Sequence, residues 1–351
     1  GSAMSAAAHA PKKDPGKKKK WPKVLIAVGI ALALVIGAAL TFFFYYFGGL
    51  NTKPIDPSDL GIDTSFQAAY KGEPITNIAL FGIDARGGGH EGRSDAVIIL
   101  SVNRKTNGIK LISVMRDSYV QINGRGDKLT HAYAYDGPEL AVKTLNENFK
   151  LNITDYVTVN FDQLADVIES IGGIPMDISS GEMYEVNRNL SEIGGWPYLE
   201  EYGEAVHLTG QQAVAYARIR NIGADQGRTE RQRKVLIAMF DKVKTLSSTQ
   251  YLNLAKTIIP MLTTSLDYSD LISYIPVIAS GNVHIDQTMI PGDYDNARDA
   301  LIDEIYYMAY DLDLATRHIH DFIYKDIDPN TPPEPETSDL PPEPDSLPES
   351  E

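Results

Sequence analysis

Five arginines lie within sixteen positions of an otherwise acidic chain: Arg218, Arg220, Arg228, Arg231 and Arg233. Residues 216–220 alternate between apolar and basic side chains, which predicts an extended segment with Arg218 and Arg220 on one side. The spacing of Arg228, Arg231 and Gln232 predicts one face of a helix that begins nearby. One guanidinium group can donate two parallel hydrogen bonds to a phosphate, and the N-terminus of a helix attracts anions. The pattern therefore predicts an anion-binding site, with a solvated basic helix end as the alternative.

A second set of charged residues flanks three apolar runs, residues 75–83, 96–102 and 109–115, that are predicted to be buried strands. The charged residues form three pairs at the strand ends: Asp84 with Arg86, Arg93 with Asp95, and Arg116 with Asp117. The carboxylates of Asp84 and Asp95 beside phosphate-binding arginines would suit Mg²⁺, because this ion takes oxygen ligands from carboxylates and phosphates together. Taken alone, Asp84 or Asp95 would more often be a strand-end cap than a metal ligand, and Arg116 with Asp117 could equally form a structural ion pair.

The remaining pattern mixes strands and helices without a strict strand–helix–strand repeat. We predict an α/β fold, an αβα sandwich with a central mixed β-sheet. Thr209 is the expected N-cap of one helix. A strand is predicted over 156–161 and an irregular segment over 181–208. Helices are predicted over 138–149, 161–171, 228–246, 251–263, 269–280 and 296–314.

The ends of the chain differ in character from its middle. Residues 1–23 carry a net charge of +6, residues 326–351 carry −9, and the total of −15 leaves −12 for the rest. Residues 1–4 are typical of a cloning remnant. Residues 24–48 contain no charged side chain and are long enough for one transmembrane helix, and the lysines before them predict a cytoplasmic N-terminus.

We therefore expect a linker over 49–73, an extracellular catalytic domain over 74–325 and a disordered tail rich in proline and acidic residues over 326–351. The chain has no cysteine, so disulfides cannot stabilise the exported part. We expect a single-pass protein of a Gram-positive-type bacterial membrane. The acidic body argues against a nucleic-acid partner, because such binding depends on neutralising phosphates.

An ordered set of motifs resembles the LytR-CpsA-Psr (LCP) family of cell-wall proteins, over residues 75–246. The matching segments are Leu80-Phe-Gly-Ile-Asp84-Ala-Arg86, Arg93-Ser-Asp95, Ser113-Val-Met-Arg116-Asp117, Lys128-Leu-Thr-His131-Ala-Tyr133, Gly172-Gly-Ile-Pro175, Leu208-Thr-Gly-Gln-Gln-Ala213, Tyr216-Ala-Arg218-Ile-Arg220 and Asp225-Gln-Gly-Arg228-Thr-Glu-Arg231-Gln232. The set is more specific than any single motif in it.

The resemblance implies a membrane-anchored phosphotransferase. It would move a glycopolymer, such as teichoic acid or capsular polysaccharide, from undecaprenyl pyrophosphate to the C6 hydroxyl of N-acetylmuramic acid in peptidoglycan. Undecaprenyl phosphate would be released, and Mg²⁺, or alternatively Mn²⁺, would assist. Such chemistry requires charge stabilisation on phosphoryl oxygens, which guanidinium groups and a metal ion supply.

The resemblance also assigns roles to individual residues. It implies that Asp84 and Asp95 bind the metal. The residues implied in catalysis are Arg93, Arg116 and Asp225, and those implied in substrate binding are Arg86, Arg116, Lys128, Arg218, Arg220, Arg228 and Gln232.

Two other functions remain open at this point. The same site could let water attack, which would make the protein a polyprenyl pyrophosphate-glycan pyrophosphatase, or the protein could be a non-catalytic regulatory or interaction protein of the cell surface. Among the histidines, His131 is expected to form a structural hydrogen bond. His318 and His320 are expected on the surface. We further expect the lipid chain of the donor to enter an apolar tunnel between the sheet and the helices, because exposed hydrocarbon is costly in water.

Overall fold

The computed structural model describes residues 51–65, 72–83, 92–247, 250, 254, 257, 259–279 and 283–332. The predicted transmembrane segment and residues 333–351 of the predicted tail lie outside the described residues. Among the helices that are described, none combines the length and the apolar character needed to cross a membrane.

The described chain alternates between strands and helices. The strands are β1 Asn51–Thr52, β2 Ile75–Ile83, β3 Ser94–Asn103, β4 Gly108–Val114, β5 Tyr119–Ile122, β6 Arg125–Lys128, β7 Asp155–Asn160, β8 Ile174–Ile178, β9 Gly203–Leu208, β10 Thr263–Thr264, β11 His284–Ile290, β12 Arg298–Ile302 and β13 Ile305–Ala309. The helices are α1 Leu129–Phe149, α2 Phe161–Ser170, α3 Ser180–Ile193, α4 Gly210–Ala217, α5 Ala224–Lys244, α6 Tyr268–Ala279 and α7 Leu312–Lys325.

A mixed seven-stranded sheet, ordered β1-β10-β7-β2-β3-β4-β11, forms the centre of the fold. This confirms the predicted central mixed sheet. The neighbours β2 and β3 run antiparallel with Ile83 opposite Ser94, while β2 and β7 run parallel with Ile83 opposite Asn160. Val97 of β3 lies opposite Val114 of β4. The charged residues that follow β4 and those at the start of β3 therefore lie at the same end of the sheet.

Helices cover both faces of this sheet, because alternate residues of each central strand point to opposite sides. On one face, Ala79, Phe81 and Ile99 pack in a buried cluster with side chains of α1 and α7. On the other face, Ile98 and Leu111 pack against partly buried side chains of α5. The strands are apolar on both sides for this reason.

A second buried cluster joins β8 and β9 to α2, α3, α4 and α5. Thr209 caps α4 as predicted, with Gln212 completing a reciprocal capping box. Helices α2 and α4 approach so closely that a Cβ on Gly210 would lie 1.9 Å from the carbonyl oxygen of Ala165. Glycine at this position therefore allows the two helices to pack.

Three predicted segments differ from the structure. The helix predicted over 296–314 is wrong, because residues 298–309 form the β12–β13 hairpin, whose turn residues Asp303 and Glu304 both have positive φ. The irregular segment predicted over 181–208 contains α3, which begins with a capping box at Ser179, and the strand β9. The segment predicted to be a linker contributes β1 to the sheet, and its Leu60 is fully buried.

The close contact of α2 and α4 gives a stability prediction. Gly210→Ala should lower the free energy of unfolding by about 1–3 kcal/mol, because the new methyl group overlaps a backbone oxygen. The control is Gly181→Ala in the first turn of α3, where a Cβ would lie 3.6 Å from Ile222 and meet only ordinary contact. It should be neutral or stabilise the protein by up to about 1 kcal/mol. Urea unfolding measures both, and equal stabilities would contradict the packing described.

Candidate functional site

The end of the sheet carries an ion-pair network built on Asp95 and Arg116. Nη1 of Arg116 lies 2.6 Å from Oδ1 of Asp95, and Nη1 of Arg228 lies 4.0 Å from the same oxygen. Asp95 comes from β3, Arg116 follows β4 and Arg228 lies in the first turns of α5. One carboxylate therefore lies between two guanidinium groups from different parts of the chain.

Asp117 extends this network toward Lys128. Its carboxylate lies 3.2 Å from Nε of Arg116 and 2.7 Å from Nζ of Lys128. The backbone of Asp117 accepts a hydrogen bond from the N–H of Met308 in the β12–β13 hairpin. Asp117 is buried and thus anchors both bases in fixed positions.

A polar cavity of about 300 Å³ opens beside this network. Four arginines line it, and two carboxylates reach it, so the cavity carries an excess of positive charge. Its charged lining residues are Asp95, Arg188, Glu192, Arg218, Arg220 and Arg228. Gln232, one turn of α5 beyond Arg228, lines it as well. The spacing of Arg228 and Gln232 on one helix face is confirmed, and the cavity suits a multiply charged anion.

The predicted extended backbone is wrong at Arg218, although the side chains of Arg218 and Arg220 line the same cavity as predicted. Helix α4 continues through Ala217, and Arg218 caps its C-terminus with αR dihedral angles. The apolar residues that alternate with the arginines are buried in the cluster of α4 and α5 rather than on a strand.

Arg188 was missed by the sequence analysis. It lies on α3, which pattern reasoning left irregular, and it pairs with Glu185 at 2.8 Å and with Glu192 at 3.6 Å. Glu185 also accepts a hydrogen bond from Asn221 of the loop before α5. The capping signal at Ser179 and Glu182 could have identified the helix that carries this arginine.

Arg231 has a structural role and does not line the cavity. Its guanidinium donates to the carbonyl of Ile222 at 2.9 Å and pairs with Glu182 at 3.2 Å, so it ties the loop after Arg220 to α3. Burial raises the pKa of Glu182, but hydrogen bonds from Ser179 and the pairing with Arg231 outweigh it and hold the pKa below its ordinary value. The carboxylate therefore stays charged beside Arg231.

An apolar cavity of about 190 Å³ lies between the sheet and α5. Strand residues Leu80, Ile98 and Val157 line one side, and Leu236 lines the other. Gln232 lines this cavity and the arginine-lined cavity alike. The predicted apolar space between sheet and helices is present, and Gln232 is the residue that lines both it and the polar cavity.

The other predicted residues are placed as follows. Arg93 is exposed next to β3 and does not line either cavity. Asp84 and Arg86 lie outside the described residues, and Asp225 lies in the first turn of α5, where only the backbone is described.

Within the described part of the chain, no group of three or more histidine, aspartate or glutamate side chains could hold a metal ion. The predicted metal pair is Asp84 and Asp95, and of these two only Asp95 has a described side chain.

Each of the three histidines contacts a named partner. His318 was expected on the surface but is partly buried, with its Nδ1 2.5 Å from Oδ1 of the fully buried Asp295. Nδ1 of His131 lies 2.8 Å from Oδ1 of Asp127, which confirms a structural hydrogen bond. The surface position predicted for His320 is wrong, because this side chain is buried and donates to the carbonyl of Phe149. Burial lowers the pKa of His320, which favours its neutral form.

A comparison with protein families decides the affiliation of the chain. The model of the LytR_cpsA_psr family matches residues 52–319. The chain belongs to this family. The match includes every charged residue described above and extends beyond residue 246, where the motifs end.

Individual relatives support the same affiliation. A polyisoprenyl-teichoic acid–peptidoglycan teichoic acid transferase TagU of Oceanobacillus iheyensis is 32% identical over 250 residues, which cover 68% of this chain and 74% of that protein. The structure of TagT bound to LIIa-WTA matches with a TM-score of 0.59 and 29% identity, over 77% of this chain and 94% of that one. TagT with bound octaprenyl pyrophosphate lipid matches with a TM-score of 0.55 and 26% identity, over 77% and 93%.

Proposed function

We propose that this LCP protein transfers a glycopolymer from a polyprenyl pyrophosphate carrier to peptidoglycan and releases polyprenyl phosphate. The observation that carries the proposal is that Gln232 lines both an arginine-lined cavity and an apolar one, which places the two cavities side by side. A ligand that fills both must combine a strongly anionic group with a hydrocarbon chain. A lipid-linked pyrophosphate has this composition.

The relatives support the two halves of this ligand separately. One matching TagT structure holds octaprenyl pyrophosphate lipid, and another is described as bound to LIIa-WTA. The matching TagU is named for the transfer of teichoic acid to peptidoglycan. We infer a lipid-linked glycopolymer as the donor for this chain, and peptidoglycan as the acceptor.

The reaction is a phosphoryl transfer. An acceptor hydroxyl oxygen forms a bond to the phosphorus that carries the glycan, and the bond from that phosphorus to the bridging oxygen breaks. The hydroxyl proton passes to solvent or to the leaving phosphate, and the lipid leaves as its monophosphate. Charge builds up on the phosphoryl oxygens during this exchange, and Arg218, Arg220 and Arg228 supply fixed donors for it.

These arginines are arranged before the ligand binds. Arg228 is held beside Asp95, and the loop that carries Arg220 is tied to α5 and α3 by Arg231. Donors that are already oriented need no rearrangement when the charge develops, which is the main source of electrostatic catalysis. The apolar cavity contributes in two ways: it holds the lipid chain, and it excludes water from the side of the pyrophosphate that carries the lipid.

We also propose that Mg²⁺, or Mn²⁺, binds with the pyrophosphate at Asp95 and Asp84. The fit rests on the carboxylate of Asp95, which lines the arginine-rich cavity, and on Ser94, which lies opposite Ile83, the residue before Asp84. One or two carboxylates plus phosphate oxygens are the usual protein environment of Mg²⁺. The ion would neutralise charge on the phosphoryl oxygens.

The transfer can be tested with a purified lipid-linked teichoic acid precursor and a lipid-free peptidoglycan oligosaccharide. Mass spectrometry should detect the glycopolymer joined to the oligosaccharide through one phosphate, together with polyprenyl phosphate. Arg218→Ala should lower the rate about 10²–10³-fold, because one fixed donor to the transition state is lost. The exposed Arg317→Ala on α7 should leave the rate unchanged.

Two results would contradict this proposal. Free phosphorylated glycan with no coupled product would show that water is the acceptor, and the protein would then be a pyrophosphatase. Equal rates for Arg218→Ala and Arg317→Ala would show that the arginine-lined cavity does not bind the reacting phosphate.

The metal proposal predicts that Mn²⁺ raises the melting temperature mainly when a polyprenyl pyrophosphate is present, because two carboxylates leave most of the coordination shell to the ligand. Asp84→Asn and Asp95→Asn should remove this shift, while Asp241→Asn, an exposed carboxylate on α5, should keep it. A shift of the same size in all three variants would disprove the assignment.

A further inference from the structure

A third cavity, of about 470 Å³, adjoins the arginine-lined one. The two cavities share Ile193 and Arg218 in their linings. Its own lining includes Trp196, Asp166 and Glu169. A concave space of this size is typical of a small-molecule subsite, and the pyrophosphate and lipid chain of the donor are assigned to the other two cavities.

Trp196 is the most unusual feature of this cavity. Its side chain is 72% exposed, although a large aromatic residue is normally buried for most of its surface. Tyr198, itself exposed, contacts the indole edge-to-face with ring centres 5.7 Å apart. An exposed aromatic pair at the mouth of a cavity indicates a surface that a ligand covers.

The segment that carries Trp196 is held in place by hydrogen bonds. Oε1 of Gln211 accepts from the backbone N–H of Trp196 at 3.1 Å, and Nε2 of Gln212 donates to the carbonyl of Pro197 at 3.0 Å. Asn187 makes two further hydrogen bonds to the backbone of Leu199. The indole is therefore presented by a fixed backbone, which reduces the entropy lost when a ligand binds.

The charges of the cavity select the kind of ligand. The exposed carboxylates of Asp166 and Glu169 outnumber the single guanidinium of Arg218 in the lining, so the cavity as a whole disfavours a phosphate or a further carboxylate. Carboxylates accept hydrogen bonds from hydroxyl groups, and an indole face packs against the C–H face of a pyranose ring. This combination suits an uncharged sugar.

The position of the cavity distinguishes acceptor from donor. Helices α2 and α4 separate it from the apolar cavity, because Leu164 and Ala217 line the apolar space while Asp166 and Val214 line this one. In a phosphoryl transfer the attacking oxygen and the leaving oxygen lie roughly in line on opposite sides of phosphorus. The lipid phosphate leaves toward the apolar side, so the attacking hydroxyl approaches from the side of Trp196.

We propose that the cavity at Trp196 binds an uncharged N-acetylhexosamine of the acceptor glycan, next to the sugar whose hydroxyl attacks. This assignment rests on the transferase function proposed above. N-acetylglucosamine alternates with N-acetylmuramic acid in peptidoglycan strands, so each attacking muramic acid has such an uncharged neighbour. Arg218 then stands between the acceptor subsite and the pyrophosphate and contacts both cavities.

Binding can be measured without catalysis because the chain contains two tryptophans, Trp21 and Trp196. In the full chain carrying Trp21→Phe, in detergent, Trp196 is the only tryptophan. Titration with a lipid-free peptidoglycan tetrasaccharide should change its emission and reach saturation. Glycerol phosphate, an anionic polyol phosphate of the kind found in teichoic acids, should produce no such change, and a response to it in place of the tetrasaccharide would overturn the acceptor assignment.

Kinetics supply the second measurement. Trp196→Ala should raise the KM for the tetrasaccharide about tenfold, which corresponds to the loss of one aromatic contact, while kcat and the KM for the lipid donor change less than about twofold. The control is Tyr202→Ala, a similarly exposed aromatic residue that does not line the cavity, and it should leave all three constants unchanged.

The two proposals can fail separately. Transfer activity with no fluorescence response and an unchanged KM in Trp196→Ala would overturn the acceptor subsite and leave the transferase function standing. A saturable fluorescence response without coupled product in any preparation would refute the transferase function while supporting the glycan-binding cavity.

Discussion

The main constraint on this structure is electrostatic repulsion, because several guanidinium groups must converge on one anion and the fold has to offset their repulsion. Arg188, Arg218, Arg220 and Arg228 line a single cavity, and each brings a charge that disfavours the others before a ligand is present. The fold offsets this repulsion with carboxylates placed behind the arginines. Asp95 lies between Arg116 and Arg228, and Glu185 holds Arg188.

This arrangement explains why the site is assembled from several parts of the chain. Two arginines on neighbouring positions of one strand could not share a carboxylate between them as Arg116 and Arg228 share Asp95. The sheet end supplies Asp95 and Arg116, and α5 brings Arg228 and Gln232 from the opposite side. The same helix covers the apolar face of the sheet, so the charged and apolar cavities are necessarily adjacent.

The sequence predicted four strands of the central sheet, β2, β3, β4 and β7, because they are continuous apolar runs, whereas no strand was predicted at β1, β10 or β11. Residues 75–83 match β2 in full, and the helix face of Arg228 and Gln232 is also confirmed. Local pattern failed where tertiary pairing decides the conformation. The hairpin β12–β13 places Asp303 and Glu304 in left-handed turn positions; aspartate is enriched there but glutamate is not, so without a glycine the sequence marks this turn only weakly.

Only part of the site was predicted, because local charge and spacing do not show which side chains the folded chain brings together. Charge and spacing identified Arg218, Arg220 and Arg228, but they could not separate Arg231, whose partner Glu182 lies 49 positions away. Arg188 was missed because α3 was not predicted, and Trp196 carries no motif. Its significance depends on exposure beside a cavity, which only the folded chain provides.

The central claim is that one ligand occupies the charged and the apolar cavity together. Isothermal titration with inorganic pyrophosphate, geranylgeranyl pyrophosphate and geranylgeranyl monophosphate tests it directly, in the wild type and in Leu236→Trp, which fills the apolar cavity. We expect geranylgeranyl pyrophosphate to bind far more tightly than inorganic pyrophosphate, since each buried methylene contributes about 0.8 kcal/mol. It should also bind more tightly than the monophosphate, which presents one phosphate fewer to the arginines. Leu236→Trp should abolish the advantage over inorganic pyrophosphate and leave the affinity for inorganic pyrophosphate itself unchanged. Equal affinities for pyrophosphate with and without the chain would contradict the account.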